Sequence, residues 1–318
     1  MVQQVKHKIY FLKIGIKLLF KHFIFVYIIN MKLLVIGNFH HKNMIGLELL
    51  LKNINFSYKF GNTNDLNNIN EYEIIYSPNI PIDTSKYPEK KFIFGPHFSV
   101  FPDNRLLNIN NIHKNSIYIQ PSKWAADTWR NLNVENVLKI KEFPFPVEID
   151  KFKPIEENSE KNEIFIYFKR RKTEELLFIE NFLNKQNITY KIFDYVKKYN
   201  EQKYLECLQN AKYGIIIDAH ESQGFAIEEA LSSDVPLLVW KVKYMSQEEG
   251  ANYPNIPCTN ISYWDERCGK FFEEKEEFEE IFWQFISKIE TYKPRTYILE
   301  NLSPEKCGEN FIKLINNI

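Results

Sequence analysis

From residue 31 onward, short runs of β-branched and aromatic residues alternate with amphipathic helical patterns, and each run ends at Gly, Pro, Asn or Ser. This alternation predicts a parallel sheet that is covered by helices on both faces. In the first half of the chain the predicted strands are Lys32–Gly37, Glu73–Tyr76, Lys91–Phe94, Ser116–Ile119 and Val137–Lys141, and the predicted helices are Ile45–Asn53 and Lys123–Leu132.

A second series of the same kind follows a polar connector, residues 154–163, whose proline and charges predict a linker. Its predicted strands are Ile164–Phe168, Tyr190–Tyr195, Tyr213–Ile217 and Pro236–Trp240, with helices near 174–185, 202–210, 224–232, 273–291 and 304–316. We therefore expect an α/β protein with two Rossmann-like domains that face each other across a cleft. The expected parts are a first domain over 31–153, a second domain over 154–300, and a C-terminal helix over 301–318 that crosses back to the first domain.

Charge and glycine patterns exclude several function classes. In 318 residues, 41 basic side chains balance 41 acidic ones, which argues against a nucleic-acid binder with a broad basic surface. Neither GxxxxGK[ST] nor GxGxxG occurs, which argues against a P-loop ATPase and a standard dinucleotide dehydrogenase. The cysteines have no CxxC spacing and no accompanying histidine cluster, so they are expected to be reduced thiols; they are Cys207, Cys258, Cys268 and Cys307.

The first thirty residues form an apolar and basic extension. Within residues 8–30, Lys13, Lys17 and Lys21 recur every fourth residue among aromatic and aliphatic side chains. As a helix this pattern suits peripheral contact with an anionic membrane, and no run reaches the ~20 uncharged residues that span a bilayer. The alternative is a plain appendage, because Met31 directly precedes the first predicted strand.

The segment over residues 211–240, AKYGIIIDAHESQGFAIEEALSSDVPLLVW, carries the candidate chemistry. A buried strand ends near Asp218, a polar loop follows, and Gly224 opens a helix. Glu221 and Glu229 stand on either side of that glycine, eight positions apart. The first amides of such a helix favour an anion between the two carboxylates. Alternatively, Glu221 caps a helix N-terminus and Glu229 is a solvated helix residue.

This segment resembles the E-x7-E motif of retaining GT-B glycosyltransferases of the glycosyltransferase family 4 type. Glu221, Gly224, Phe225, Glu229, Ala230 and Val235-Pro236 match, whereas Asp234 replaces the family's usual glycine and Gln223 is an uncommon spacer. Residues 143–154, FPFPVEIDKFKP, resemble the family's interdomain connection, and residues 121–134 resemble the helix before it. The resemblance covers most of residues 31–240. It implies that Glu229 holds the ribose of a nucleotide sugar and that Glu221 contacts the donor sugar.

A basic run and several histidines complete the candidate site. The family places an Arg and a Lys after the first strand of the second domain, where this chain has Lys169, Arg170, Arg171 and Lys172. Of these we expect Lys169 and Arg171 to bind phosphate, because alternate residues of an extended segment share one side. His97 follows a predicted strand and could bind the donor or accept the acceptor's proton. The pair His40-His41 follows the first strand, where this fold receives acceptor or donor phosphate.

These patterns favour a metal-independent glycosyltransferase that acts on a nucleoside diphosphate sugar, with retention by resemblance. No convincing DxD motif occurs, so no metal and no cofactor besides the donor substrate are expected. The alternatives are a nucleotide-sugar epimerase on the same fold and a non-catalytic protein that binds a glycan or a partner. The expected partners are a nucleotide sugar and an acceptor that is a glycan, a lipid or a protein; no nucleic acid is expected. The expected location is the cytoplasm, with peripheral membrane contact if residues 8–30 bind a membrane.

Overall fold

The computed structural model describes residues 31–102, 105, 114–155 and 161–318. The apolar and basic segment over residues 8–30, for which we predicted membrane contact, lies outside these residues. So do residues 156–160 of the expected linker.

In the described residues the first domain contains one parallel sheet, with the strand order β2-β1-β3-β4-β5-β6. Its elements are β1 (Lys32–Ile36), α1 (His41–Asn53), β2 (Ser57–Gly61), β3 (Ile74–Ser77), β4 (Lys91–Phe94), β5 (Ser116–Gln120), α2 (Lys123–Asn131) and β6 (Lys139–Glu142). Strand β2 is absent from the predicted elements. Its residues are exposed or half-buried, so it lacks the apolar run that marks the other strands.

The second domain has a parallel sheet of the order β11-β10-β9-β7-β8. Its elements are β7 (Glu163–Lys169), α3 (Thr173–Lys185), β8 (Lys191–Asp194), α4 (Glu201–Asn210), β9 (Ala211–Asp218), α5 (Phe225–Ser232), β10 (Leu237–Trp240), β11 (Gly269–Phe272), α6 (Phe278–Ser287), α7 (Pro294–Asn301) and α8 (Pro304–Asn316). Two parallel α/β sheets in one chain agree with the expected fold class.

Both sheets are covered on both faces because alternate residues of their strands enter different cores. In β1, Leu33 and Val35 belong to one buried cluster, whereas Leu34 and Ile36 belong to another. In β9, Ile216 packs on one face, and Ile215 and Ile217 pack on the other. These nearly continuous apolar runs are what parallel strands require, and they explain why the strands could be found in the sequence.

The last helix, α8, packs on α1 of the first domain. Phe311 and Ile312 share a buried cluster with Leu47 and Leu50. The helices approach closely at Gly308, where a Cβ atom would come within 2.5 Å of the Ile54 side chain. Burying a side chain such as Phe311 contributes about 1.5–3 kcal/mol, so this contact fastens the chain's end to the opposite domain. Within the described residues, no helix has both the length and the apolar character needed to cross a membrane.

Candidate functional site

The carboxyl ends of strands from both sheets meet at a cleft that holds two adjoining pockets. The first, which we call the charged pocket, has a volume of about 140 Å³, and its lining includes Lys42, Lys169, Asp218, Glu201 and Glu229. The second, which we call the Gln120 pocket, has a volume of about 150 Å³, and its lining includes Asn43, His97, Phe98, Ser99 and Gln120. Four residues line both pockets: His40, Glu221, Gly224 and Phe225. The pockets therefore meet at the loop between β9 and α5.

That loop ends in a turn that suits glycine. Gly224 has a φ of 99° and directly precedes the first residue of α5. A Cβ atom at this position would lie 3.5 Å from the nearest atoms, which is ordinary contact, so the backbone conformation and not the space selects glycine. Phe225, Ala226 and Ile227 begin the helix and line the charged pocket. Because the first amides of a helix lack intrahelical acceptors, this end carries partial positive charge.

Glu221 is paired with Lys169, which lies at the end of β7. Burial alone would raise the pKa of Glu221, but the Lys169 ammonium outweighs it and the pKa lies below its ordinary value. Burial would lower the pKa of Lys169, yet the charges of Glu221 and Asp218 raise it above its usual range. Both groups are therefore charged at neutral pH. This ion pair is largely shielded from water, since 14% of the Lys169 side chain and 17% of the Glu221 side chain are exposed. Its geometry must therefore offset the cost of removing two charges from water.

Asp218 lies beside this pair at the end of β9, and its side chain is 1% exposed. Burial, followed by the charge of Glu221, raises the pKa of Asp218 well above its usual range. Neither carboxyl oxygen of Asp218 has a hydrogen-bond donor in the described part of the chain. Of these two neighbouring acids, Glu221 therefore holds its charge more firmly, and it is the carboxylate that lines both pockets.

Glu229 reaches the same pocket from α5 and is only 5% exposed. Its Oε1 accepts a hydrogen bond of 2.6 Å from Lys42 Nζ, which comes from the first turn of α1 in the other domain. Lys42 Nζ also lies 3.7 Å from Glu201 Oε2. Burial raises the pKa of Glu229 to about 7, although the Lys42 charge opposes the shift. Sequence reasoning missed Lys42, because no local signal joins residues 187 positions apart.

Gln223, the unusual spacer of the motif, fastens the loop to the interdomain connection. Its Oε1 accepts from Phe145 N at 3.0 Å, and its Nε2 donates to Phe145 O at 2.6 Å and to Glu228 Oε2 at 3.0 Å. Trp124 of α2 holds the loop from the first domain, since its Nε1 donates to the Glu221 carbonyl at 2.9 Å. The position of the Glu221 carboxylate thus depends on both domains.

The substitution at Asp234 has a clear backbone reason. Asp234 has a φ of 58°, which is the left-handed region where the related motif carries glycine. Aspartate tolerates this region better than most residues. Its Oδ1 also accepts from the Arg295 amide at 3.1 Å, which ties the turn to α7.

The predicted histidines take different positions. His97 lines the Gln120 pocket, and its Nδ1 contacts the Tyr118 hydroxyl. His40 lines both pockets and stacks on Phe225 with 6.4 Å between ring centroids. Burial, and then the neighbouring His41, lower the pKa of His40, so its imidazole is neutral. His41 lines the charged pocket, but 60% of its side chain is exposed.

Of the predicted phosphate pair, Lys169 lies in the charged pocket, whereas Arg171 lies outside the described lining. The Arg171 guanidinium bonds Glu175 and the Asp218 carbonyl. Arg170 between them has a φ of 51°. The segment is therefore not extended there, and the rule that residues two apart share a side fails. Arg170 itself pairs with Glu248 at 3.0 Å.

The described residues contain no group of three or more His, Cys, Asp or Glu side chains that could hold a metal ion. The four cysteines are free thiols. Metal independence stays a prediction from the sequence.

No family model and no curated protein matches this sequence. Among solved structures, 41 chains match. One of them is the lipopolysaccharide outer core galactosyltransferase WaaB in its apo form, with a TM-score of 0.51 and 13% sequence identity, over 90% of this chain and 99% of that one. At this identity the likeness concerns the fold. The expected pair of Rossmann-like domains facing across a cleft is confirmed.

Proposed function

We propose that the protein is a glycosyltransferase that moves a sugar from a nucleoside diphosphate sugar to an acceptor. One observation carries this proposal: Glu221, the N-terminus of α5 and Glu229 line one cleft pocket together with Lys169 and Lys42. Carboxylates hydrogen-bond to hydroxyl groups, and a helix N-terminus binds phosphate. A nucleotide sugar presents these groups in the matching order, with a sugar at one end, a diphosphate in the middle and a ribose at the other.

The ribose is assigned to Glu229. An ionised carboxylate can accept a hydrogen bond from each of two neighbouring hydroxyls. Lys42 Nζ donates a hydrogen bond to Oε1 of this carboxylate at 2.6 Å. Donor binding therefore exchanges the ammonium for ribose hydroxyls on that oxygen, or adds a hydroxyl at Oε2. The adjoining pocket with Tyr195 and Tyr199 offers aromatic faces for the base.

The diphosphate is assigned to the amides at the start of α5 and to Lys169. When the bond between sugar and phosphate breaks, negative charge develops on the leaving phosphate, and fixed positive groups stabilise it. Lys169 is held in place by Glu221 and lies over the Tyr195 ring at 4.6 Å from its centroid. Arg171, which bonds Glu175, has no part in this assignment.

In the transfer step the acceptor oxygen bonds the anomeric carbon, and the bond from that carbon to the phosphate oxygen breaks. Its electron pair leaves with the nucleoside diphosphate, and the acceptor's proton passes to a base, which we assign to His97. This role requires the tautomer in which His97 Nδ1 donates to the Tyr118 hydroxyl, so that Nε2 carries the accepting lone pair. Glu221 lies where the two pockets meet and orients the donor sugar. Retention is proposed from the motif's resemblance.

A thermal-shift screen against UDP, GDP, ADP and their sugar conjugates tests the proposal, because a ligand of the folded state raises the melting temperature. Hits are then incubated with acceptor panels, with and without EDTA. Donor consumption that depends on an acceptor and resists EDTA supports a metal-independent transferase. Epimerised donor without transfer supports the epimerase alternative. Glycan binding without any nucleotide binding contradicts the proposal and supports a binding protein.

Membrane contact through residues 8–30 is a separate proposal with its own test. Flotation of the full chain with anionic liposomes is compared with flotation of a chain that lacks residues 1–30. Equal flotation of the two chains would contradict the proposal.

A further inference from the structure

Lys169 and Glu221, the ion pair that lines the charged pocket, each have a chain neighbour that reaches the same buried carboxylate. Arg170 follows Lys169, and its Nη1 donates to Glu248 Oε1 at 3.0 Å. His220 precedes Glu221, and its Nδ1 lies 3.2 Å from Glu248 Oε2. The two oxygens of one carboxylate therefore contact the two loops that carry the ion pair.

Glu248 is more deeply buried than the neutralisation of its cation requires. Only 6% of its side chain is exposed, against 47% of the Arg170 side chain. Burying a carboxylate is costly, whereas a half-exposed guanidinium is already solvated by water. Burial lowers the pKa of His220, although the Glu248 charge opposes this shift, so the imidazole is neutral at pH 7 and is not a second cation. Charge balance therefore does not account for the place of this carboxylate.

The His220 ring is held by aromatic side chains from both domains. It meets Trp124 of α2 edge to face with 5.5 Å between ring centroids, and Tyr253 with 5.4 Å. Its Nδ1 has no aligned hydrogen bond in the described part of the chain, so packing and the proximity of Glu248 fix the ring. Trp124 also donates from Nε1 to the Glu221 carbonyl at 2.9 Å. The residue before Glu221 is thus as firmly held as the Glu221 backbone.

The carboxylate belongs to a segment between β10 and β11, residues 241–262, which we call the strap. The backbone of the strap is bonded to both loops. The Glu249 amide donates to the Arg170 carbonyl at 2.8 Å, and the Glu221 amide donates to the Thr259 carbonyl at 3.1 Å. These backbone bonds fix the strap between the loops, so the contacts of its buried side chain are not those of a freely moving surface ion pair.

We infer that Glu248 is a positioning residue that, by holding Arg170 and His220, fixes the orientation of the Lys169–Glu221 pair in the cleft. Glu248 is absent from the described lining of both pockets, so it acts through its neighbours and not by touching substrate. The contacts stand on the geometry alone, whereas their effect on sugar transfer rests on the proposed function. A misplacement of about 1 Å can lower a reaction rate about a hundredfold.

The first test is turnover by Glu248→Ala in the full chain. We expect kcat to fall about ten- to a hundredfold, because the ion pair loses a fixed point, and KM for the donor to change about threefold or less. Glu248→Gln keeps an oxygen that can accept from Arg170, so its kcat should be within about threefold of the wild type. Glu249→Ala is the matched control, because its side chain is exposed and its amide bond to Arg170 is kept. Equal kcat in Glu248→Ala and Glu249→Ala would overturn the inference, and so would a change in KM alone.

A double-mutant cycle separates positioning from a general loss of structure. If Glu248 acts through the ion pair, Glu248→Ala should lower kcat no further in the Glu221→Gln background. Losses that multiply would show that Glu248 acts independently of the pair. If Glu248→Ala does not fold, Glu248→Asp takes its place. It keeps the buried charge, but its shorter side chain cannot reach both partners, so kcat should fall about tenfold.

The same cycle measured by denaturant unfolding needs no substrate. The unfolding equilibrium constant of the double variant should differ about tenfold or more from the product of the two single effects. Agreement with that product to within about twofold would overturn the inference. Coupling in unfolding, without turnover of any donor, would instead refute the transferase and leave the contact between Glu248 and the ion-pair loops in place.

Discussion

The charged pocket and the Gln120 pocket share one loop but differ in the charged groups that line them. In the charged pocket the protein supplies partners for its own ions: Lys169 pairs with Glu221, and Lys42 pairs with Glu229. In the Gln120 pocket the buried Gln120 amide nitrogen has no partner in the described residues. A ligand entering the charged pocket must therefore exchange with existing ion pairs, whereas the described lining of the Gln120 pocket has no lysine or arginine.

This difference affects how ligand binding in each pocket should depend on pH. In the charged pocket, nucleotide binding should depend on the protonation of Glu229, because burial raises the pKa of this carboxyl group to about 7. The described lining of the Gln120 pocket contains neither Glu229 nor Lys42, so binding there should not follow the ionisation of Glu229. The following predictions begin with the residue that the two pockets share and then treat each pocket in turn.

The largest effect is expected at the shared residue. Glu221→Gln should lower the turnover of donor and acceptor by about 10²–10³-fold, since a charge that orients and stabilises the transition state is lost. Affinity for the nucleoside diphosphate without its sugar should change little. Turnover and calorimetry measure the two quantities, and the exposed Glu174→Gln serves as the matched control.

Glu221→Gln removes the closest counter-ion of Lys169, whose side chain is 14% exposed, so the variant should also lose stability, by at most about 3–5 kcal/mol. Adding Lys169→Met should restore much of that stability without restoring activity. Full activity in a stable Glu221→Gln protein would remove Glu221 from the mechanism.

The next effect concerns pH in the charged pocket. Nucleoside diphosphate affinity should rise as the pH rises through about 7, because Glu229 then becomes ionised. Lys42→Met removes the charge that holds the pKa of Glu229 down. The midpoint of this pH dependence should therefore move to higher pH. For a shift of one unit the affinity at pH 7 should fall about fivefold, because the ionised fraction of Glu229 falls from about a half to about a tenth. Lys42→Arg should keep the wild-type profile.

Glu229→Gln is the control for this pH profile, since a titration of the nucleotide's own phosphate would persist in it. An unchanged midpoint in Lys42→Met would show that Lys42 does not control Glu229. The same pKa also affects folding. Between the ordinary 4.5 and about 7 the folded protein holds a proton that the unfolded chain releases, so this group's contribution to stability falls as pH rises through that window.

The smallest effect compares two buried glutamines. Gln223→Met should lower the free energy of unfolding by about 1–3 kcal/mol, because both backbone polar groups of Phe145 lose their partner. Gln120→Met should cost nothing, since its amide nitrogen has none to lose. Denaturant unfolding measures both variants. Equal losses at the two positions would mean that Gln120, like Gln223, has a structural role, although both side chains line the same pocket.

The sequence was informative wherever the signal is local. Continuous apolar runs mark β1, β3, β5 and β9 because parallel strands are buried on both faces. Glu221, Gly224 and Glu229 could be found because one turn and one helix position all three. Strand β11 lies at a sheet edge and, like β2, lacks such a run, so periodicity did not reveal it.

What the sequence could not supply is long-range pairing. Lys42 and Trp124 of the first domain bond Glu229 and the Glu221 backbone, and Gln223 of the motif bonds the interdomain connection at Phe145. No spacing in the sequence indicates these contacts. The expectation for Arg171 depended on an extended backbone, and the left-handed Arg170 overturns that geometry. Single backbone conformations of non-glycine residues are rarely visible in a sequence.

The most direct test of the account is calorimetric titration of the wild-type protein and of Glu229→Gln with the nucleoside diphosphate selected by thermal shift, at pH 8. We expect the wild type to bind and Glu229→Gln to bind about ten- to a hundredfold more weakly, because the ribose hydroxyls lose a charged acceptor. Glu174→Gln should match the wild type. Equal affinity in Glu229→Gln and the wild type would contradict the assignment of the charged pocket to a nucleotide sugar.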